Sequence, residues 1–424
     1  MRERLSDWLH YLEALHPKTI ELGLDRIKRV ADAMHVRHFS CPVVTVAGTN
    51  GKGSNVAMLQ AAAVASGYRV GAYTSPHLVH YNERICINGM PVSDAQLVQA
   101  FERVEAARGD TSLTYFEFGT LAALDIFQQS QLDLVILEIG LGGRLDAVNI
   151  VDADISIIAS LGLDHTDWLG NTLEEIGYEK AGVIRPAKAC VLGFSEIPLS
   201  VQRVIKEKNA HAYIKGQHFE LMQDGVQWHW RGVGKDGNLI EYNNLPLPRI
   251  SIQNAATAMQ ALALLPLPFS ELALRDALQD VYVRGRFQFI DGQPTTLLDV
   301  AHNPAAGAFL AEQLQAVVWH NKIHAVVGML GDKDWVNTLL PILPYIDRWY
   351  VTGLNTVAPR GETAQPLAEF LLNAGARVAG QFVTPTSAYK AACKLVDEDD
   401  LVLVFGSFFT VGEVLGWLEG VKRG

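Results

Sequence analysis

The chain has 424 residues, with 46 acidic against 35 basic side chains and a formal net charge of −11. That length predicts two domains, each able to bury a core, and the negative balance disfavours broad binding to nucleic acid or to anionic membranes. Cys41, Cys86, Cys190 and Cys393 form no C-x-x-C pair, and no signal peptide or membrane-length apolar run is recognisable, so a cytoplasmic protein with reduced thiols is expected.

In chain order, the first strand expected is Val43–Ala47, followed at once by a glycine-rich loop and a helix from Ser54 to Ser66 that Gly67 stops. Further buried strands are predicted at Val70–Thr74, Leu134–Ile139, Ile155–Ser160 and Ala189–Leu192. Helices are predicted between them near 93–107, 115–129 and 172–183, the last opened by a capping box at Thr172–Glu175. Such alternation predicts an α/β fold with a mostly parallel sheet covered on both faces. Residues 211–243 change character. Asp224-Gly225 and Asp236-Gly237 separate alternating segments there, which predicts a small antiparallel appendage of hairpins before a helix at Ile252–Leu265. A break near 283–287 places the domain boundary between 1–286 and 287–424. The second part resumes the alternation, with strands at Thr296–Val300, His324–Met329, Trp349–Thr352 and Leu401–Phe405. Its helices are expected near 304–318, 334–343, 364–374, 386–396 and 410–419.

The most informative segment is Gly48-Thr49-Asn50-Gly51-Lys52-Gly53-Ser54, between a strand and a helix. Its glycines let backbone N–H groups turn onto phosphate oxygens, the helix start adds positive potential, and Lys52 adds a point charge. Ser54 can offer a hydroxyl to a phosphate-bound Mg2+. The spacing departs from G-x-x-x-x-G-K-[ST]: position 46 is Val, and Gly53 separates Lys52 from Ser54.

Reactive side chains gather at the carboxyl ends of the predicted strands, where ligands bind in parallel sheets. Ser75, Glu138, Asp164 and His165 make a donor set suited to Mg2+ near phosphates, although each alone could equally be a cap or a strand-end polar residue. Gly140-x-Gly142-Gly143 fails the dinucleotide fingerprint because position 145 is Leu, so a tight loop approached by a ligand is expected instead. Asp299-Val300-Ala301-His302-Asn303-Pro304 and Gly406-Ser407-Phe408 are strand-end clusters in a part without its own phosphate loop. They are expected to serve the nucleotide of the first part.

These segments, with Glu21–Leu24, Tyr115–Gly119, Glu179–Gly182, Gln253–Thr257, Gly285–Gln288 and Gly328–Asp334, make the whole chain resemble the folylpolyglutamate synthases of the Mur ligase superfamily. Among these it looks nearest to the bacterial forms that also act as dihydrofolate synthases. The resemblance implies an ATP- and Mg2+-dependent ligase that adds L-glutamate to dihydropteroate and to reduced folates. It implies ATP contacts at Thr49, Asn50, Gly51, Lys52, Gly53, Ser54, Asn254, Arg286 and Asp299, and Mg2+ ligands at Ser75, Glu138 and His165. Pteroate contacts would come from Glu21, Leu22, Gly23 and Leu24, from Thr114, Tyr115, Phe116 and Glu117, and from Leu145, Asp146 and Ala147. Lys180 matches the lysine that is carbamylated, and His302 and Ser407 match positions around the incoming glutamate. Glu21 stands where the pattern can carry Asp. Only 47 residues precede Gly48, too few for the separate UDP-sugar domain of the cell-wall ligases. A monomer without nucleic-acid or membrane partners is expected. The phosphate loop alone would also suit a hydrolase or a kinase, and the failed fingerprint disfavours a nicotinamide dehydrogenase.

Overall fold

Every side chain of Val43–Ala47 (β1) is buried, as a strand sandwiched between two helical layers requires. The computed structural model describes residues 2–18, 20–317, 321–358 and 360–420, so position 318 of the expected 304–318 helix lies outside the described residues. The chain divides into two compact units. One holds the residues up to Pro76 together with Asn82–Tyr282, and the other holds His77–Tyr81 together with the chain from Val283.

In the first unit β1 is followed by β2 (Val70–Tyr73), β3 (Ile85–Ile87), β4 (Met90–Pro91), β5 (Leu134–Glu138), β6 (Ile155–Ile158), β7 (Ala189–Leu192) and β8 (His211–Ile214). These form one eight-stranded sheet in the order β4-β3-β2-β5-β1-β6-β7-β8. Only β3 and β4 run antiparallel to their neighbours. Because β5 inserts between β1 and β2 while β6 lies on the other side of β1, the sheet reverses its winding at β1. The carboxyl end of β1 is therefore the place where a crevice opens for a ligand.

A second, three-stranded antiparallel sheet of β9 (Glu220–Asp224), β10 (Gln227–Val233) and β11 (Leu239–Pro246) forms the predicted appendage. Trp228 and Trp230 are both buried; the indole of Trp230 donates to the Ala256 carbonyl, and Gln260 bonds both N–H and C=O of Val233. The appendage thereby fixes the Ile252–Leu264 helix, whose first turn carries Asn254. One boundary differs from expectation. His211–Ile214 is the parallel edge of the main sheet, paired with β7, and does not belong to the hairpins. Its half-exposed side chains lack the apolar run that marks the inner strands.

The second unit contains β12 (Gln288–Ile290), β13 (Thr295–Asp299), β14 (Ile323–Val327), β15 (Arg348–Thr352), β16 (Val378–Phe382) and β17 (Leu401–Phe405). Their order is β12-β13-β17-β14-β15-β16, with β12 alone antiparallel to its neighbour. Alternate residues feed two cores: Leu297, Val327, Val351 and Leu403 on one face, Leu298, Val326, Tyr350 and Val404 on the other. Leu78, from the short segment 77–81, belongs to the second of these cores. The edge strand β16 was not expected, because Gly380 and exposed alternate positions give it no apolar signature. Among the described residues no helix is long and apolar enough to cross a membrane.

Candidate active site

The loop after β1 is held from the neighbouring strand end. Thr49 N–H donates to the Ser160 carbonyl at 3.0 Å, Asn50 N–H donates to Ser160 Oγ at 2.9 Å, and Thr49 Oγ1 donates to the Gly162 carbonyl at 3.1 Å. Gly51 has φ +82°, and a Cβ there would stand 2.3 Å from Asn254 Oδ1, so both conformation and space demand glycine. The Lys52–Ala65 helix starts without a side-chain cap, so its first-turn N–H groups and the positive helix end are available to an anion. Lys52 Nζ donates to the Gly48 carbonyl at 3.0 Å and reaches that of Thr49 at 3.3 Å, which holds the ammonium over the loop. Gly53 and Ser54 lie in the same first helical turn.

Glu138 pairs with Val46 across β5 and β1, so its carboxylate stands beside the loop. It is buried; its Oε2 accepts from Ser75 N–H at 3.3 Å and lies 3.9 Å from where a Gly53 Cβ would be. His165 precedes the short Thr166–Leu169 helix with φ +52°, its N–H bonded to Asp164 Oδ1. Two of the three expected metal ligands, Ser75 and Glu138, are thus in direct contact. Among the described residues no group of three or more His, Cys, Asp or Glu is drawn together around a cation position.

The glycines of Gly140–Gly143 are approached closely by protein. A Cβ at Gly140 would meet the Phe116 ring at 2.6 Å, and one at Gly143 would meet the Glu179 carbonyl at 2.8 Å. This loop is therefore seated on the end of the Leu173–Ala181 helix, which carries Lys180, and Arg144 reinforces the seat through Glu179 at 2.7 Å. Arg185 donates to Asn149 and to the Val151 and Val183 carbonyls, tying the loop's far end to the same helix terminus. Lys180 is 4% exposed, and burial followed by the nearby charge of Lys52 lowers its pKa to about 7, against the pull of Asp164 and Asp146. Asp146 is 2% exposed. Burial raises it to about 6 although backbone N–H groups of Leu141, Val148 and Gly140 and the charge of Lys52 favour its anion. Its Oδ2 accepts from Leu141 N–H at 2.8 Å and its Oδ1 from Val148 N–H at 2.9 Å.

The three segments expected to contact pteroate come together in the first unit. Gly23 N–H reaches the Leu145 carbonyl at 3.4 Å, and Leu24 immediately precedes the Asp25–Met34 helix. Thr114 caps the Tyr115–Gln128 helix in a capping box with Glu117. Phe116 stacks on Tyr73 at 6.1 Å between ring centres, and Arg84 lies 5.7 Å from the Tyr115 ring. Arg26 joins Glu21 to Glu117, at 3.1 and 3.2 Å. Leu22 and the buried Ala147 complete the segments.

In the second unit the expected residues sit at the ends of adjacent strands, Asp299 of β13 being paired with Phe405 of β17. Asp299 accepts from Phe287 N–H and Ala301 N–H, both at 2.8 Å, and burial raises its pKa against the attraction of Arg286. His302 Nδ1 lies 2.8 Å from the Val300 carbonyl and therefore carries the proton there, while its ring lies 6.0 Å from Phe408. The guanidinium of Arg286 lies 5.5 Å from the same Phe408 ring. Ser407 caps the Phe408–Leu418 helix by accepting from Phe409 N–H at 3.1 Å.

Residues 285–408 match the family model described as "Mur ligase, glutamate ligase domain". Over 424 residues, 99% of this chain and 97% of the relative, the sequence is 43% identical to the dihydrofolate synthase/folylpolyglutamate synthase of Escherichia coli K12. The chain belongs to the dihydrofolate synthase/folylpolyglutamate synthase family. Its fold matches that of E. coli FolC in complex with DHPP and ADP, with a TM-score of 0.93 at 43% identity, covering 99% of this chain and 98% of that one. It also matches a bifunctional folylpolyglutamate synthase/dihydrofolate synthase with Mn, AMPPNP and L-glutamate bound, with a TM-score of 0.90 at 45% identity and coverage of 99% and 98%.

Four further residues hold the expected pteroate contacts in place, and the sequence assigns them no role. Arg185 and Asn149 organise the loop of Asp146, while His16 and Arg26 organise the surroundings of Glu21. Their only sequence signal is proximity: Arg26 comes two residues after Leu24 and Asn149 two after Ala147.

Proposed function

We propose that this chain is an ATP- and Mg2+-dependent amide ligase that joins L-glutamate to dihydropteroate, giving dihydrofolate, and extends reduced folates with further glutamates. The observation that carries this reading is the buried Glu138 carboxylate beside the phosphate loop, supported by the buried Lys180 amine, which feels the charge of Lys52. The donor chemistry fits a hard divalent cation: a dry carboxylate beside a serine and next to a phosphate-sized cradle, with His165 as the further ligand. When bound, the cation supplies neutralisation of charge on the transferring phosphoryl group.

The chain's own groups then have defined tasks. Loop N–H groups and Lys52 hold the nucleotide phosphates, and Asn254, Arg286 and Asp299 are carried over as further ATP contacts. The substrate carboxylate takes the γ-phosphoryl group to become an acyl phosphate, a far better electrophile than the carboxylate. The α-amine of glutamate, oriented by His302 and Ser407, attacks the acyl carbon; the C–N bond forms, the C–O bond to phosphate breaks, and inorganic phosphate and a proton leave. Lys52 stabilises the developing charge in both steps. Lys180, about half-neutral near pH 7, adds as the free amine to CO2 and loses a proton, giving a carbamate anion beside Lys52. The four cysteines are all free thiols, which supports a reducing, cytoplasmic location, and we take the working form to be a monomer. ADP release measured with ATP, dihydropteroate and glutamate, omitting each in turn, tests the proposal. Release that needs both acceptor and glutamate is expected; release without glutamate would instead indicate a hydrolase or kinase.

A further inference from the structure

Two acidic side chains border the proposed pterin region, and their surroundings divide the work between them. Glu117 is 3% exposed, and it faces the protein: Oε2 accepts from Thr114 N–H at 2.8 Å and Oε1 from Arg26 at 3.2 Å. Glu21 remains about one-third exposed at its side chain. His16 Nε2 lies 2.7 Å from its Oε2, and Arg26 lies 3.1 Å from its Oε1, with the exposed Lys18 at 3.7 Å. His16 is itself nearly buried, and its Nδ1 lies 2.7 Å from Ser112 Oγ. The bond from His16, with support from Arg26 and Lys18, holds the Glu21 carboxyl below its usual range, so it stays an anion and an acceptor.

Ser112 makes this arrangement tolerant of the protonation state of His16. A carboxylate only accepts, so His16 must carry a proton on Nε2 in either state. With neutral imidazole the Ser112 hydroxyl donates to Nδ1. With imidazolium, Nδ1–H donates to Ser112 Oγ, whose own proton turns to the Leu15 carbonyl at 3.5 Å. The bond to Glu21 persists in both.

We propose that His16 and Arg26 are positioning residues for pterin recognition: they hold the Glu21 carboxylate out toward the substrate, while Glu117 anchors Arg26. A 2-aminopterin ring offers adjacent N–H donors that match a carboxylate held edge-on. Glu in place of Asp at position 21 is then the length that reaches the His16 donor. This inference rests on the proposed ligase activity, and its test is separable from the test of that activity.

The experiment measures steady-state constants for ATP, glutamate and dihydropteroate, with direct titration of dihydropteroate binding as a second readout. In His16→Asn the amide sits at the Nδ1 position, keeping the Ser112 partner and losing the Glu21 donor. In His16→Gln the amide sits near Nε2 and keeps the Glu21 donor. We expect H16N to raise the dihydropteroate KM and Kd about tenfold, as loss of one charge-assisted bond does, with kcat and the ATP KM within about twofold. H16Q should restore most of the loss. Arg26→Lys, which replaces with one ammonium the two nitrogens that separately reach Glu21 and Glu117, should behave like H16N. Glu21→Asp should lose the His16 bond, so H16N and E21D should be strongly non-additive in a double-mutant cycle. Additive losses, equal effects of Asn and Gln, or an unchanged dihydropteroate Kd would overturn the proposal. Should H16N fail to fold, the cycle of H16Q with E21D decides, with loss of the Gln rescue in the Asp background expected. A parent enzyme without activity on dihydropteroate that nevertheless binds it would reduce the ligase reading to glutamate addition to folates and leave the positioning question answered by Kd.

Discussion

Lys180 permits a prediction with a calculable size, because the same burial that suits it to chemistry costs stability. Its amine has a pKa of about 7 in the folded chain against the ordinary 10.5. Between those values the unfolded chain binds one more proton than the native one, so stability must rise with pH across that window, and the full cost is present below pH 7. A shift of this size corresponds to about 5 kcal/mol, of which relaxation and water entry leave roughly 2–4 kcal/mol to be observed. Lys180→Met keeps the bulk and removes the charge. In CO2-free buffer, urea unfolding should therefore find K180M more stable than the parent by that amount at pH 6.5, with the advantage shrinking steadily toward pH 9.5. The variant should also lose ligase activity. A stability difference that does not change with pH, or a parent more stable than K180M at pH 6.5, would refute the argument that a buried amine of lowered pKa occupies this site.

Lys52→Ala should reduce ADP-forming turnover about a hundredfold or more, the usual loss for a central charge stabiliser, with the melting temperature little changed; near-parental turnover would remove Lys52 from the mechanism. Gly51→Ala places a methyl 2.3 Å from Asn254 Oδ1 at a positive φ, so nucleotide binding measured by calorimetry should be lost while the apo fold survives. Asp146→Ala strips the acceptors from Leu141 and Val148 N–H and should unseat the loop, so kcat/KM should fall by similar factors for dihydropteroate and for a preformed folate. A loss confined to dihydropteroate would mean that Asp146 contacts that substrate directly.

The inner strands were legible because a parallel sheet covered on both faces leaves unbroken apolar runs such as Val43–Ala47 and Leu134–Glu138. Edges lack that constraint, which is why β8 was merged with the hairpins and β16 passed unnoticed. The same contrast separates the parts of the site. Gly51 and Lys52 announce themselves because a phosphate cradle needs particular backbone freedom and charge at fixed spacing. His16, by contrast, acts through Glu21, five residues on, and through Ser112, ninety-six residues on; no local pattern requires a histidine there. Asp146 and Glu117 enter the sequence reading only as pteroate contacts that the family resemblance implies. The structure turns both inward, onto backbone N–H groups, because each sits at the start of a helical turn whose orphan donors need an acceptor.

That inward turn has a consequence for how the site handles charge. Asp146 and Lys180 are both nearly dry, and their pKa values, about 6 and about 7, are brought close together by opposite effects of the same burial. Near neutral pH the acid is ionised while the amine is close to half-neutral, so the pair sits at a point where a small added charge changes its protonation. An anion at position 180, such as a carbamate, would raise Asp146 further and would favour the ammonium of Lys52 beside it. Phosphate binding acts on Lys52 in the same direction. The phosphate loop, the Asp146 loop and the Lys180 helix are thus linked through charge as well as through the backbone contacts of Gly143 and Arg144 with Glu179. Titration of the apo chain should accordingly release protons near pH 6 to 7 that a lysine and an aspartate on the surface would not.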